Sequence, residues 1–317
     1  MLKLRVRSVT YQAEGVLSYE LVDPAGEQLP SFEAGAHIDV RIPGGFSRRY
    51  SLCDAPGNVD HYRIAVLNVA GGRGGSKAMH EAVQAGSLIE VSEPHNFFPL
   101  DERGSHSILL AGGIGVTPLL AMMERLHNQK RSYEFHYCTR TPTHTAFAER
   151  LAPHVEQGIV HIHHDGGDPR NGLDVTALLR ERQEGSHVYF CGPSGFMSAV
   201  RSAVAHWPKD SVHFEYFTSE VPADRVNGVE NGVTEVVLNR SQRSIAVAPS
   251  QTILEALRAA GVEAETSCES GVCGTCKTKY LQGKPEHNDY LLSDEEHETQ
   301  VLICCARVET GPLVLDL

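Results

Sequence analysis

Four cysteines near the C-terminus stand as Cys268-x4-Cys273-x2-Cys276, with Cys304 following 28 residues after the third. That spacing wraps a plant-type 2Fe–2S cluster, which passes electrons one at a time. Three of the thiols share the loop from Ser267 to Cys276, where Gly271 and Gly274 let the backbone curl and aim N–H groups at the cluster sulfurs. Two other uses of cysteine compete with this reading. A tetrahedral zinc site favours two paired Cys-x2-Cys or Cys-x2-His knuckles, and only Cys273 and Cys276 form one. A disulfide framework needs an oxidising compartment, but the opening Met1-Leu2-Lys3-Leu4-Arg5-Val6 has no uninterrupted apolar stretch to direct export, so a cytoplasmic location is expected.

Two further elements suit phosphates. Arg48-Arg49-Tyr50-Ser51-Leu52 reads as the start of a strand, and Gly72-Arg73-Gly74-Gly75-Ser76 leads into a helical run at Lys77-Ala78-Met79-His80. The glycine loop would offer free N–H groups and a positive helix end, with Arg48 and Arg73 supplying charge. Taken alone it also reads as a surface turn, with Tyr50 in the core. Later, Ala111-Gly112-Gly113-Ile114-Gly115-Val116-Thr117-Pro118 stands between an apolar strand and a helix, and Phe190-Cys191-Gly192-Pro193-Ser194-Gly195 repeats the arrangement. Neither is G-x-G-x-x-G, but both permit a tight turn and close approach of backbone to a dinucleotide, and two such turns at adjacent strand ends would frame one crevice. The plain alternative for Cys191 is a small buried apolar residue.

The elements that must position these residues fall into blocks. Up to about Arg103, short alternating strands at residues 4–9, 37–42 and 62–67 are broken by Gly and Pro, which predicts a small antiparallel β-barrel over residues 1–103. Over residues 104–218 strands at 107–111, 133–137, 160–163 and 187–190 alternate with helical segments, one following Pro118, which predicts a parallel sheet with helices on both faces. Residues 219–231 are polar, contain Pro and Gly, and read as a linker. Residues 232–317 then carry strands at 234–238 and 244–247, a helix over 252–260 that Ser250 can cap and Gly261 can end, and the cysteine loop. The fold class is therefore multi-domain: an antiparallel barrel, an α/β parallel-sheet domain and a small cluster domain.

At 317 residues, 41% hydrophobic and 21% charged, the composition is that of an ordinary globular chain, and no stretch approaches the roughly 20 apolar residues of a membrane span. A net charge of −12 argues against nucleic acid and anionic membrane as partners, because both select clustered Lys and Arg. From Gly232 onward 13 acidic residues face 7 basic ones, a net −6, so half of the charge sits in the last quarter of the chain. An acidic docking module and a merely well-solvated surface both fit that asymmetry.

With these motifs in hand, the whole chain resembles the phthalate dioxygenase reductase family, the single-chain flavin and 2Fe–2S reductases that serve Rieske-type oxygenases and vanillate-type demethylases. Arg48, Tyr50 and Ser51 match that family's R-x-Y-S flavin motif, Ala65, Val66 and Leu67 its flavin-contacting strand, and Arg73, Gly74, Gly75 and Ser76 its phosphate loop. Gly112, Gly113, Gly115, Thr117 and Pro118 match its nicotinamide-nucleotide motif, Cys191, Gly192 and Pro193 its C-G-P turn, and residues 213–217, ending at Phe217, the close of its reductase portion. Tyr216 departs from the pattern, a smaller residue being usual there. The resemblance implies FMN as flavin, NADH as hydride source, a β-grasp ferredoxin at the C-terminus, and Cys268, Cys273, Cys276 and Cys304 as cluster ligands, with Cys304 chosen over Cys305.

The implied path runs from NADH to FMN as hydride, then as single electrons through the cluster to a terminal Rieske oxygenase acting on an aromatic or small organic acid. Thr117 and Cys191 would hold the nicotinamide, and Glu215 would polarise it or relay a proton unless it is a surface glutamate. A cluster near about −400 mV lies at least roughly 250 mV below a Rieske centre, which at 59 mV per decade drives transfer outward by about four orders of magnitude. The chain shows no Cys-x-His pairs and no evident two-His-one-carboxylate site, so oxygen chemistry is expected on another protein. A reductase for a diiron monooxygenase, a general diaphorase, and a redox-sensing module without turnover are the rival readings. A monomer is expected.

Overall fold

Leu4 and Val6 are buried while Lys3, Arg5 and Arg7 face water, and this two-residue alternation sets the first strand of an antiparallel sheet. The computed structural model describes residues 1–72, 74–217, 234–249, 251–266, 269, 271, 274–289 and 291–317. The sheet comprises β1 (Leu2–Ala13), β2 (Val16–Val22), β3 (His37–Ile42), β4 (Phe46–Ser51), β5 (Tyr62–Leu67) and β6 (Leu88–Val91), in the order β4-β3-β6-β1-β2-β5. Every neighbouring pair is antiparallel. The Cys53 N–H donates to the Arg63 carbonyl at 2.9 Å, tying the chain that leaves β4 to β5 and drawing the two edges together. Helix α1 (Gly75–Ala82) follows β5.

Arg48 to Leu52, expected to begin a strand, instead end one. Gly44 and Gly45, at φ 91° and 83°, make the turn out of β3, so β4 is already paired from Phe46 opposite Ile42. The consequence is functional, since Ser51 comes to stand at the end of a strand.

The second sheet is wholly parallel. Its strands are β7 (His106–Gly112), β8 (Tyr133–Thr139), β9 (Val160–His164), β10 (Ser186–Cys191) and β11 (Val212–Glu215), in the order β11-β10-β7-β8-β9. The connecting helices are α2 (Val116–Asn128), α3 (Ala148–Glu156), the short α4 (Val175–Leu178) and α5 (Ser194–Ala203). Ser107 to Gly112 are buried without a break, as a central parallel strand requires. One hydrophobic cluster joins Ala34, Cys53, Ala65 and Phe98 to Leu119, Met122 and Met123 of α2. The cut expected between residues 103 and 104 therefore falls inside a shared core, and the chain divides into two compact units, 1–215 and 216–317. The expected linker, 219–231, lies outside the described residues.

The second unit holds β12 (Thr234–Leu238), β13 (Arg243–Val247), α6 (Ile253–Ala259), β14 (Lys277–Glu286), α7 (Asp294–His297), β15 (Gln300–Leu302) and β16 (Arg307–Leu315). The strand order is β13-β12-β16-β14-β15, with β12 and β16 parallel and the other neighbours antiparallel, and α6 buries Ile253, Leu254, Ala256 and Leu257 in the core beside them. That is the β-grasp arrangement. The cap of α6 is Thr252 rather than the expected Ser250, which lies outside the described residues. Glu255 decides this: its N–H donates to the Thr252 hydroxyl at 3.2 Å, and its carboxylate accepts the Thr252 N–H at 3.0 Å. Thr252→Ala should cost about 1 kcal/mol, read as a lower denaturant midpoint for loss of the cluster's visible absorption. An unchanged midpoint would show that packing alone holds α6.

Candidate functional site

At the C-terminal edge of the parallel sheet two glycine turns meet. The first leaves β7 at Gly112 and enters α2 through Gly113 and Gly115, and the second leaves β10 at Cys191 and enters α5 through Gly192 and Pro193. A Cβ on Gly115 would lie 2.1 Å from the Cys191 carbonyl oxygen, and one on Gly192 would lie 3.0 Å from the Gly112 Cα. The turns are thus in direct backbone contact, as the expectation of one crevice requires. Thr117 is buried in the first turn of α2 and donates its hydroxyl to the Ile114 carbonyl at 3.1 Å, so it holds the glycine turn's shape. Pro118 is buried beside it. No side chain caps the N-terminus of α5 at Pro193.

Cys191 and Glu215 end adjacent parallel strands in register. Ser51, closing β4, reaches them from the other sheet, with its Oγ 3.4 Å from Glu215 Oε2. Glu215 is only 6% exposed, which excludes the surface-glutamate reading. Burial raises its carboxyl to about 7, opposed by the Arg49 charge and the Ser51 hydroxyl. Burial and the Glu215 charge push the Cys191 thiol well above its ordinary range, so it stays protonated and neutral. The group is a serine hydroxyl, a thiol and a carboxyl poised to exchange a proton near neutral pH. Phe217 lies exposed two residues further on.

The first sheet supplies an anion site. Helix α1 follows its N-cap Gly74, φ 84°, with no side chain capping its N–H groups, and a Cβ on Gly75 would come within 2.7 Å of Arg48 Nε. Uncapped amides beside a guanidinium fit a flavin phosphate. Ser76 Oγ accepts the Val69 N–H at 3.1 Å, closing the loop. Arg73 lies outside the described residues. Ala65 and Val66 are buried in β5, Leu67 is half-buried, and Tyr50 is half-buried beside them with its hydroxyl held protonated by burial.

Sequence reasoning missed a polar group that joins the two sheets. Buried Asp54 accepts from Arg63 Nη1 at 3.3 Å and from Arg150 Nη1 at 3.1 Å, and Arg150 Nε also donates to Glu124 at 3.0 Å. Nothing in the local pattern around Asp54 or Arg150 marks them, because their partners are distant in sequence.

In the second unit Cys276 and Cys304 are buried, while Cys268 and Cys273 lie outside the described residues. Gly271 and Gly274 both have positive φ, and the first leaves room for Cys305, whose Sγ a Cβ there would meet at 2.7 Å. Cys305 Sγ donates to the Leu302 carbonyl at 3.5 Å. The two adjacent cysteines sit in the turn between β15 and β16, not on a strand. Buried thiols over a loop of left-handed glycines fit an iron–sulfur cluster.

A family model for the 2Fe–2S iron–sulfur cluster binding domain matches residues 236–309, and one for the oxidoreductase NAD-binding domain matches residues 109–202. Over all of this chain and 97% of its own length, the phthalate dioxygenase reductase of Burkholderia cepacia is 42% identical. The chain belongs to the phthalate dioxygenase reductase family. A solved phthalate dioxygenase reductase, described as a modular structure for electron transfer from pyridine nucleotides to 2Fe–2S, superposes with a TM-score of 0.81 at 42% identity, covering 100% of this chain and 98% of that one. The reductase is also 44% identical to a tert-butanol monooxygenase / tert-amyl alcohol desaturase reductase subunit of Aquincola tertiaricarbonis, over 100% and 96% of the two chains. With a vanillate O-demethylase oxidoreductase of a Pseudomonas strain it shares 40% over the whole of both. It is an NADH-dependent oxidoreductase that uses FMN and a 2Fe–2S cluster and supplies electrons to an oxygenase component, which bears out the resemblance read from the sequence. Among its described residues no helix is long and apolar enough to cross a membrane.

The raised carboxyl has a thermodynamic consequence. Between about pH 4.5 and 7 folded Glu215 keeps a proton that the unfolded chain has lost, so stability falls as pH rises through that window. Glu215→Gln should remove this slope, making the variant more stable than the parent by about 3 kcal/mol at pH 8 relative to their difference at pH 4.5. Thermal midpoints measured across that range check it, and parallel curves would count against the buried acid.

Proposed function

We propose that this reductase takes hydride from NADH at the crevice between the Gly112–Gly115 and Cys191–Pro193 turns and delivers single electrons to a Rieske-type terminal oxygenase or demethylase. The observation that carries the reading is the convergence of Ser51, Cys191 and Glu215 from the ends of three strands on that crevice. Arg48 and the Arg73-to-Ser76 loop hold the flavin phosphate, and Tyr50, Ser51 and the β5 residues Ala65, Val66 and Leu67 line its ring. The glycine turns, with Thr117 and Pro118 behind them, hold the nicotinamide nucleotide. FMN, when bound, supplies the change from two-electron to one-electron transfer. The chain's own contribution is positional and acid–base: the Glu215 carboxyl exchanges a proton near neutral pH, the Ser51 hydroxyl donates to its Oε2, and the neutral Cys191 thiol adds no competing charge.

Cys268, Cys273, Cys276 and Cys304 are the proposed cluster ligands. Cys304→Ser should strip most of the cluster's visible absorption while Cys305→Ser retains it, because the Cys305 thiol is turned to the Leu302 carbonyl. The reverse result would move the ligand to Cys305.

The reductase acts as a cytoplasmic monomer, and its acidic second unit faces the oxygenase. Glu269 in the cluster loop is paired with Arg258, its Oε2 3.1 Å from Nη1, and Glu296 lies 3.4 Å from Lys277, so the exposed Asp294 and Glu295 of α7 carry the steering charge. NADH-driven reduction of the partner Rieske protein should slow markedly between low salt and about 0.5 M salt, where the screening length is below about 5 Å. Ferricyanide reduction should change far less. Equal salt dependence of the two would assign docking to apolar contacts.

A further inference from the structure

Although the sequence shows no evident two-histidine, one-carboxylate site, the fold of the second unit makes one. His287 follows β14, Asp289 stands two residues on, and His297 ends α7. Asp289 Oδ1 lies 2.9 Å from His297 Nε2 and 3.8 Å from His287 Nδ1, and the three donor atoms all fall within 4.8 Å of one another. The two imidazole rings stack with centroids 4.0 Å apart. We propose that His287, Asp289 and His297 form a binding site for a divalent transition-metal ion of the zinc class, separate from the iron–sulfur cluster.

The chemistry and the geometry both favour a cation. Two imidazoles and a carboxylate are a common protein ligand set for zinc, with metal–ligand bonds near 2.0–2.2 Å, which places tetrahedral donors roughly 3.3 Å apart. The observed 2.9 and 3.8 Å bracket that value. The Asp289 carboxylate is 1% exposed, and its second oxygen is already committed, accepting the Leu291 N–H at 3.2 Å and the Leu292 N–H at 2.8 Å. Those bonds fix the carboxylate, as the outer partners of metal ligands do, and turn Oδ1 to the imidazoles, where its 2.9 Å hydrogen bond with His297 Nε2 is the contact that an ion would replace. His287 Nδ1 is buried without a hydrogen-bond partner, an unmade bond that a cation would satisfy. Both imidazoles are half-buried.

The position gives the ion a role. A Cβ on Gly271 would lie 3.0 Å from the Asp289 Cα, so the segment bearing the site packs directly on the cluster loop. An ion joining that segment to α7 would hold it against the loop and slow loss of the cluster.

The test uses the holoprotein with its flavin and cluster, and Zn2+ alone as probe. Equilibrium dialysis with elemental analysis should find one zinc per chain in addition to the cluster iron, half-saturated at roughly micromolar Zn2+. His287→Gln and His297→Gln should each weaken binding at least tenfold while iron content, visible spectrum and ferricyanide turnover stay at parental values. Zn2+ should also raise the temperature at which the parent's cluster bleaches and leave that of the variants unmoved. Equal zinc uptake by parent and variants, uptake only in exchange for iron, or a bleaching temperature that Zn2+ shifts equally in all three would overturn the site.

Discussion

A methyl group at residue 115 would stand 2.1 Å from the Cys191 carbonyl oxygen and 2.4 Å from its carbon, distances that no side chain tolerates. The crevice depends on that missing Cβ. Because the chain after β7 can lie directly against the chain after β10, the two turns form one continuous wall of backbone, and Cys191 and Glu215 are brought level at the ends of their strands. The neighbouring close approach, Gly192 over Gly112, has the same origin. Glycine's general cost in conformational entropy is accepted here for the sake of contact.

The two sheets of the first unit must also hold a fixed relation, since hydride transfer tolerates little misplacement. An apolar cluster containing Phe98, Met122 and Met123 supplies most of the adhesion, and it is non-directional. Direction comes from buried Asp54. Holding Arg63 from its own sheet and Arg150 from α3 on one oxygen, and approached by His61 at 2.9 Å on the other, it keeps both arginines only in one relative placement of the sheets. A buried carboxylate that lost these partners would be costly, which makes the network a stronger determinant of geometry than of stability.

The second unit manages charge differently. Most of its acidic residues are solvated, and several are paired across short distances, Lys284 with Glu309, Arg240 with Asp316 and Arg258 with Glu269. Such exposed pairs contribute little to stability. Arg258 compensates the charge of Glu269 in this way, while Asp294 and Glu295 of α7 stay exposed.

Local pattern was enough for most of the elements and for the iron–sulfur cluster, while FMN and NADH came from the family resemblance. Alternation at Leu4 and Val6, the apolar run ending at Gly112, the glycine turn before Thr117 and the cysteine spacing each depend on neighbours a few residues away, and such neighbours are written in order along the chain. Whatever depended on distant partners was decided by tertiary structure. Whether Glu215 is a surface acid or a buried one was set by Ser51, 164 residues earlier, arriving at its carboxyl. The same holds for Asp54 with Arg150, for the shared core that erases the boundary after residue 103, and for His287 and His297, which meet Asp289 only once β14 and α7 are folded. The physical reason is common to all of them. Burial and electrostatic environment are properties of a place in space, and the sequence names the groups that will share it without stating that they meet.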